Sequence, residues 1–182
     1  MDDKKALRKI MSERRKVAHG VVDPNPALEA LEAVLRDLEG PVSFYWPIRT
    51  EIDPRPVMET MVGAKSVCLP MTHGYSALTF RPWQPGMAMI EDSFGVAVPD
   101  TEETLVPKTL VLPMLAFDDL GQRLGYGAGH YDRTLAMLRT SSPVTAIGFA
   151  YEAQRADKVP TEATDQPLNM IVTETQVRRF EV

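Results

Sequence analysis

Cysteine is close to absent from this sequence: Cys68 is the only one among 182 residues. A single thiol excludes an intramolecular disulfide, and with His19, His73 and His130 as the only histidines no zinc-ligand spacing can be written. Long apolar runs are missing too. Every apolar stretch is broken by proline or charge well short of the ~20 residues a membrane-spanning helix needs, so a cytoplasmic protein with no membrane partner is expected. No internal repeat, low-complexity tract or interdomain linker interrupts the chain. What remains is a globular composition, with 44% apolar and 25% charged residues. The length falls within the roughly 100–200 residues of one domain, so residues 1–182 are expected to form a single domain.

Charge is unevenly placed. Residues 1–20 carry seven Lys/Arg against three Asp/Glu, whereas the whole chain is −5. Asp2, Asp3 and Glu13 interrupt the basic run, and neither an apolar core nor a cleavage pattern follows it, which argues against a removable targeting peptide. The overall acidity and the lack of a basic aromatic platform argue against nucleic acid. Leu7, Ile10, Met11, Val17 and Ala18 recur at the spacing of one helical face, which predicts a docked amphipathic helix. Its Lys4, Lys5, Arg8, Lys9, Arg14, Arg15 and Lys16 have two readings, a solvated side or a set of which some reach an anion.

Punctuation sets out the remaining elements. Asn25 caps a helix that starts at Pro26 and closes by Gly40, and Asp53-Pro54 starts another that ends before Gly63. Strands are expected at 42–46, 66–69, 109–117, 144–149 and 170–173, with a minor one at Thr79-Phe80. Asp118-Asp119-Leu120-Gly121 is a turn signature, and a helix follows over about 130–139. Short strands alternating with helices imply an α/β, three-layer Rossmann-like fold, its mainly parallel sheet covered by helices on both faces. Ligands in such folds sit beyond the carboxyl ends of the strands.

The informative segment is Arg123-Leu124-Gly125-Tyr126-Gly127-Ala128-Gly129-His130-Tyr131-Asp132-Arg133, with glycine at every second position between a strand and a helix. It matches neither the Rossmann G-x-G-x-x-G nor the P-loop. Glycines still permit close backbone approach, and amide N–H groups at a helix start attract an anion, so phosphate is the natural ligand. The helix dipole contributes only about 0.3–1 kcal/mol, so cations must assist, and Arg123 and Arg133 bracket the loop. Asp132 would repel phosphate unless it carried Mg2+, which takes one or two carboxylates plus phosphate oxygens. The plainer reading is a tight turn before a helix whose first turn holds a carboxylate.

These residues resemble the 5-formyltetrahydrofolate cyclo-ligase (5,10-methenyltetrahydrofolate synthetase) family. The likeness extends through Lys4-Lys5-Ala6-Leu7-Arg8, Tyr45-Trp46-Pro47 to Glu51-Ile52-Asp53, Cys68-Leu69-Pro70, Leu112 to Asp118, Val159-Pro160 to Asp165, and Ile171 to Glu174. It implies Mg-ATP-dependent conversion of 5-formyltetrahydrofolate into 5,10-methenyltetrahydrofolate, with release of ADP and phosphate. The formyl oxygen attacks the γ-phosphate, and N10 then closes the ring as phosphate leaves. Such chemistry depends on positioning and charge neutralisation, which suits a sequence with no recognisable nucleophile–base motif.

By the same resemblance Lys4, Arg8 and Arg123 are catalytic and bind ATP together with Leu124, Gly125, Tyr126, Gly127, Ala128, Gly129, His130 and Tyr131. Trp46, Glu51, Tyr126, Gly127, Ala128, Gly129 and His130 contact the folate, and Asp132 and Asp165 carry Mg2+. No obligate protein partner is implied. The family commonly has glycine at Ala128, an aromatic residue at His130, histidine at Thr164 and aspartate at Asn169, the last bearing on the magnesium surroundings. Two other readings stand beside this one: a phosphate-sugar or acyl-transfer enzyme on the same architecture, and a catalytically silent folate-binding protein.

Overall fold

The computed structural model describes residues 2–182. In chain order the elements are α1 (Asp2–Val21), α2 (Asn25–Arg36), β1 (Val42–Ser43), α3 (Arg55–Met61), β2 (Val67–Met71), β3 (Thr79–Pro82), β4 (Met89–Glu91), β5 (Ala97–Pro99), β6 (Thr109–Leu112), β7 (Ala116–Phe117), β8 (Arg123–Leu124), α4 (His130–Ser141), β9 (Thr145–Phe149), a 3-10 turn at Glu152–Gln154, β10 (Met170–Val172) and β11 (Val177–Arg179). Seven strands form one sheet in the order β11-β10-β9-β6-β1-β2-β3. The five inner strands run parallel, and only the edges β3 and β11 are antiparallel. This is the α/β arrangement expected.

Alternation along β6 shows how helices cover both faces. Val111 packs in the cluster that holds Leu31 and Leu35 of α2 and Met58 of α3. Leu110 and Leu112 point the other way, into the cluster that holds Leu135 and Leu138 of α4. Pro113 ends the strand, so the expected run over 109–117 divides into β6 and β7. β7 pairs with β8 around an Asx turn, where Asp118 Oδ1 accepts the Leu120 and Gln122 amides at 3.0 and 3.1 Å and Gly121 takes φ +76°. That hairpin delivers the chain into the glycine loop.

The helix starts differ from expectation by one residue. Pro24 and Pro54 occupy the cap positions, and the side chains that satisfy the first amides come from one residue earlier: Asp23 Oδ1 accepts Asn25 N–H at 3.0 Å, and Asp53 Oδ1 accepts Arg55 N–H at 2.9 Å. The expected face of α1 is also rotated. Lys4, Leu7, Arg8, Met11, Arg15 and Ala18 turn inward, whereas Ile10 and Val17 are exposed. Arg15, assigned to the basic run with a solvated reading, is fully buried.

Candidate active site

The chain passes from β1 outward through β2 to β3 and returns to β6 on the other side of β1, so the strand order reverses between β1 and β6. Crevices in open α/β sheets form beyond the carboxyl ends of the strands at such a reversal. Two cavities lie there. One, of about 860 Å³, is lined by Lys4, Arg8, the whole segment 123–133, Glu162, Thr164 and Asp165. The other, of about 300 Å³, is lined by Tyr45, Trp46, Glu51, Leu78, Asp92, Phe94 and the inner side of the same loop. Pro113, Tyr126, Ala128, His130 and Tyr131 border both. A cationic chamber and an aromatic chamber thus share the glycine loop as a wall.

Within the loop the positive φ values fall on Gly127 (+107°) and Gly129 (+68°), and Ala128 avoids that region. Gly129 is the cap residue of α4 and brings no side chain to its first amides, which stay available to an anion. Arginines lie against the loop. Arg8 Nε donates to Gly125 O at 2.9 Å, Arg133 donates to Ala128 O, and a Cβ on Gly127 would come within 3.3 Å of the Arg8 guanidinium. Glycine at 127 is therefore favoured by its positive φ, and the close approach of Arg8 leaves little room for a side chain.

The remaining cations are paired. Lys4 Nζ donates to Asp165 Oδ2 at 2.8 Å and lies 3.4 Å from Glu162 Oε1. Burial opposes the Lys4 ammonium, but the hydrogen bond and charge of Asp165 outweigh it and hold Lys4 above its ordinary pKa. Arg123, with its side chain 5% exposed, donates to Asp132 Oδ1 at 2.7 Å. Asp132 Oδ1 also accepts the Gln166 amide at 2.9 Å, which links the two carboxylates through the 162–166 loop.

Among the described residues no group of three or more His, Cys, Asp or Glu side chains is placed to enclose a metal ion. Mg2+ needs no such cage, since it keeps waters and takes phosphate oxygens. Asp132 and Asp165 fit that requirement. Each receives its two hydrogen bonds on a single oxygen, Oδ1 of Asp132 and Oδ2 of Asp165, so the other hard oxygen stands outside these pairings. Asn169 does not belong to this group. Its Oδ1 accepts Ala146 N–H at 2.8 Å and Arg139 at 3.2 Å, tying β9 to α4, and it lines neither cavity. The expectation that residue 169 bears on the magnesium surroundings is corrected accordingly.

On the aromatic side the segment after β1 closes on itself. Tyr45 Oη donates to Ile52 O at 2.6 Å, Ile48 N–H to Glu51 Oε2 at 2.9 Å, and Glu51 N–H to Ile48 O at 3.1 Å. Arg49 pays for this turn with φ +54°. Tyr126 Oη donates to Glu51 Oε1 at 3.1 Å, so the glycine loop and the β1 loop meet at Glu51. Burial pushes the Glu51 carboxyl up, against the Ile48 amide, Arg15, Tyr126 and Arg49, which all favour its charged form. Trp46 faces the cavity with the Arg55 guanidinium 5.0 Å from its ring centre.

Two groups were not legible as site residues. Arg15 and Arg49 flank the Tyr126 ring, with guanidinium carbons 5.6 and 5.4 Å from its centre. Tyr75 and Phe94 pack on His130 at centroid distances of 6.3 and 5.1 Å, and Phe94 comes from the tip of the β4–β5 hairpin. Those strands are three residues long and lack an alternating pattern, so only an aromatic beside Gly95 marked the place.

A cationic, glycine-walled chamber at the switch point of a mostly parallel sheet is an arrangement suited to binding an anion in an α/β enzyme. The sequence model of the 5-formyltetrahydrofolate cyclo-ligase family matches residues 1–174, and the chain belongs to that family. The 5-formyltetrahydrofolate cyclo-ligase of Escherichia coli K12 is 34% identical over 144 residues, covering 75% of this chain and 79% of that protein. The one from Haemophilus influenzae is 28% identical over 170 residues, covering 89% and 90%. Among solved structures, the Aquifex aeolicus 5,10-methenyltetrahydrofolate synthetase superposes with a TM-score of 0.78 at 27% identity, covering 98% of this chain and 93% of that one.

Proposed function

We propose that this chain converts 5-formyltetrahydrofolate and ATP into 5,10-methenyltetrahydrofolate, ADP and phosphate, with ATP in the cationic chamber and the folate in the aromatic one. The observation that carries this reading is the shared wall: Tyr126, Ala128, His130 and Tyr131 border both cavities, so a phosphoryl group held on one side faces an acceptor held on the other. The formyl oxygen forms a bond to the γ-phosphorus as the bond to ADP breaks. N10 then attacks the activated carbon, loses its hydrogen, and the carbon–oxygen bond breaks to release phosphate.

In this reading Lys4, Arg8 and Arg123 neutralise charge on the transferring group, and segment 124–131 cradles the phosphates with backbone amides and the start of α4. Asp132 and Asp165 would hold Mg2+, which supplies further charge neutralisation at phosphate oxygens when bound. Their present partners, Arg123 and Lys4, would then turn to the nucleotide. Trp46 offers a face to the pterin, Glu51 and Tyr126 offer hydrogen-bond partners to its polar edge, and His130 contributes a ring surface. Among the described residues no helix is long and apolar enough to cross a membrane. The chemistry calls for no nucleic acid, membrane or protein partner, and a cytoplasmic setting fits its use of ATP.

Incubation with 5-formyltetrahydrofolate and Mg-ATP, following methenyl-folate absorbance and ADP together, tests the proposal. Equimolar formation of the two products is expected, with ADP release dependent on folate. ADP release without folate at a similar rate would overturn it, as would folate binding without turnover.

A further inference from the structure

Arg15 is the most deeply buried cation described, with its side chain 1% exposed, and it lines neither chamber. Its Nε donates to Thr50 Oγ1 at 3.2 Å, its Nη1 lies 3.8 Å from Glu51 Oε1, and that Nη1 has no hydrogen-bond partner. A buried guanidinium with an unpaired nitrogen is costly unless a charge beside it compensates. Glu51, with its side chain 3% exposed, is the only carboxylate in ion-pairing range of it among the described residues. Because Lys4, Arg8 and Arg15 fall at i, i+4 and i+11, one face of α1 serves both chambers.

We propose that Arg15 is a positioning residue of the folate chamber: from behind the pocket wall it keeps Glu51 a carboxylate, with Oε1 directed at Tyr126 and the ligand. The identity of that ligand rests on the function proposed above, but the Arg15–Glu51 coupling does not. Other charged or titratable groups face Glu51 as well. Arg49 comes from its own loop, Tyr126 from the glycine loop, Tyr45 from the end of β1 and Tyr131 from α4. Three are phenols that burial keeps protonated, and Arg49 is exposed, so Arg15 supplies the screened-off counter-charge.

Without Arg15, burial acts on Glu51 with less opposition, so its titration moves up. A folate site that needs the carboxylate then loses affinity as pH falls through the raised midpoint and regains it above.

The test compares wild type, Arg15→Lys, Arg15→Met, Glu51→Gln and the double variant. Carbon-13 NMR of glutamate-labelled protein without ligand reads the Glu51 carboxyl, assigned through Glu51→Gln. Arg15→Met should raise its midpoint by about one pH unit or more, and Arg15→Lys, which keeps the charge, by less than half of that. In turnover, Arg15→Met should raise the KM for 5-formyltetrahydrofolate about tenfold at pH 7, recovering at higher pH, with kcat and the KM for ATP within about threefold. If Arg15→Met does not fold, adding Glu51→Gln should restore folding by removing the uncompensated charge.

An unmoved Glu51 midpoint overturns the proposal, as do equal changes in both KM values or a double variant no more stable than Arg15→Met. Absence of folate turnover by the wild type overturns the functional reading alone, because the NMR and stability measurements need no substrate.

Discussion

Arg123 and Asp132 meet at 2.7 Å across the start of α4, while the buried Nε of the same guanidinium has no hydrogen-bond partner. The pair is half of a larger exchange system. Lys4 with Asp165 repeats it on the other side of the cationic chamber, so two cations and two carboxylates neutralise one another where a polyphosphate and a divalent ion would each take one sign. A site of this kind resists filling by a lone anion, because phosphate oxygens must displace carboxylates that themselves need a new cation.

Arg123→Lys should therefore weaken ATP use more than folding. Lysine keeps the charge but loses the planar fork that reaches Asp132 and a phosphate oxygen together. A fall of ~10²–10³ in kcat is expected, by comparison with other sites that lose one preorganised charge partner. Steady-state kinetics with varied Mg-ATP, alongside a melting curve, checks it; a kcat within threefold of wild type would remove Arg123 from the reacting group.

Deleting residues 1–8 removes Lys4 and Arg8 together and spares Met11, Arg15 and Ala18, which anchor α1 through their burial. The truncated protein should fold, retain binding of 5-formyltetrahydrofolate, and lose most of its ATP-dependent turnover. Fluorescence binding of the folate and ADP formation are the two measurements. Unchanged ADP formation would remove both cations from the reacting group.

How much of this was legible turned on charge and on length. The glycine segment announced itself because alternating glycines between a strand and a helix have few other uses, and Lys4 and Arg8 emerged through resemblance. Arg15 did not, because a basic residue in a basic helix is assigned outward by any hydrophobicity argument, and only the burial of Glu51 opposite reverses that. The helical phase slipped for the same reason: counting Ile10 and Val17 as inward requires Arg15 to be outward, and the structure inverts all three. β4, β5 and β11 escaped because three-residue strands on polar edges leave no period to read.

Cys68 offers a stability gauge. It is fully buried, and burial pushes its thiol up to about 12, with Ser43 as a minor opposing partner. Since the thiolate is the reactive form, labelling near neutral pH should require the chain to open. Gly148→Ala is expected to destabilise by roughly 1–3 kcal/mol, because a Cβ there would overlap Met114 and lie 2.7 Å from Leu168 Cδ1. Labelling should accelerate by roughly 5- to 150-fold in that variant, following the open population. Equal labelling rates in the two proteins would show that Cys68 is reached by a local opening the core does not control.

His130 invites assignment as a general base, and its surroundings argue otherwise. Its Nε2 lies 2.8 Å from Gly74 O, a group that only accepts, so Nε2 carries the hydrogen. The ring forms a three-membered cluster with Tyr75 and Phe94, stacked on the first and edge-on to the second, which is the setting of an aromatic surface. The proposed chemistry asks for no base at the phosphorylation step, since N5 of the formamide is fully substituted and its carbonyl oxygen can attack phosphorus without losing a proton. A base helps only later, when N10 closes the ring, and water or phosphate can serve there. His130→Phe should therefore keep its phosphorylation rate within about tenfold while the KM for folate changes more. Single-turnover ADP formation at saturating 5-formyltetrahydrofolate, measured across pH for both proteins, decides the matter. A loss of several orders of magnitude in the variant, together with a wild-type pH limb that the variant lacks, would make His130 the base after all.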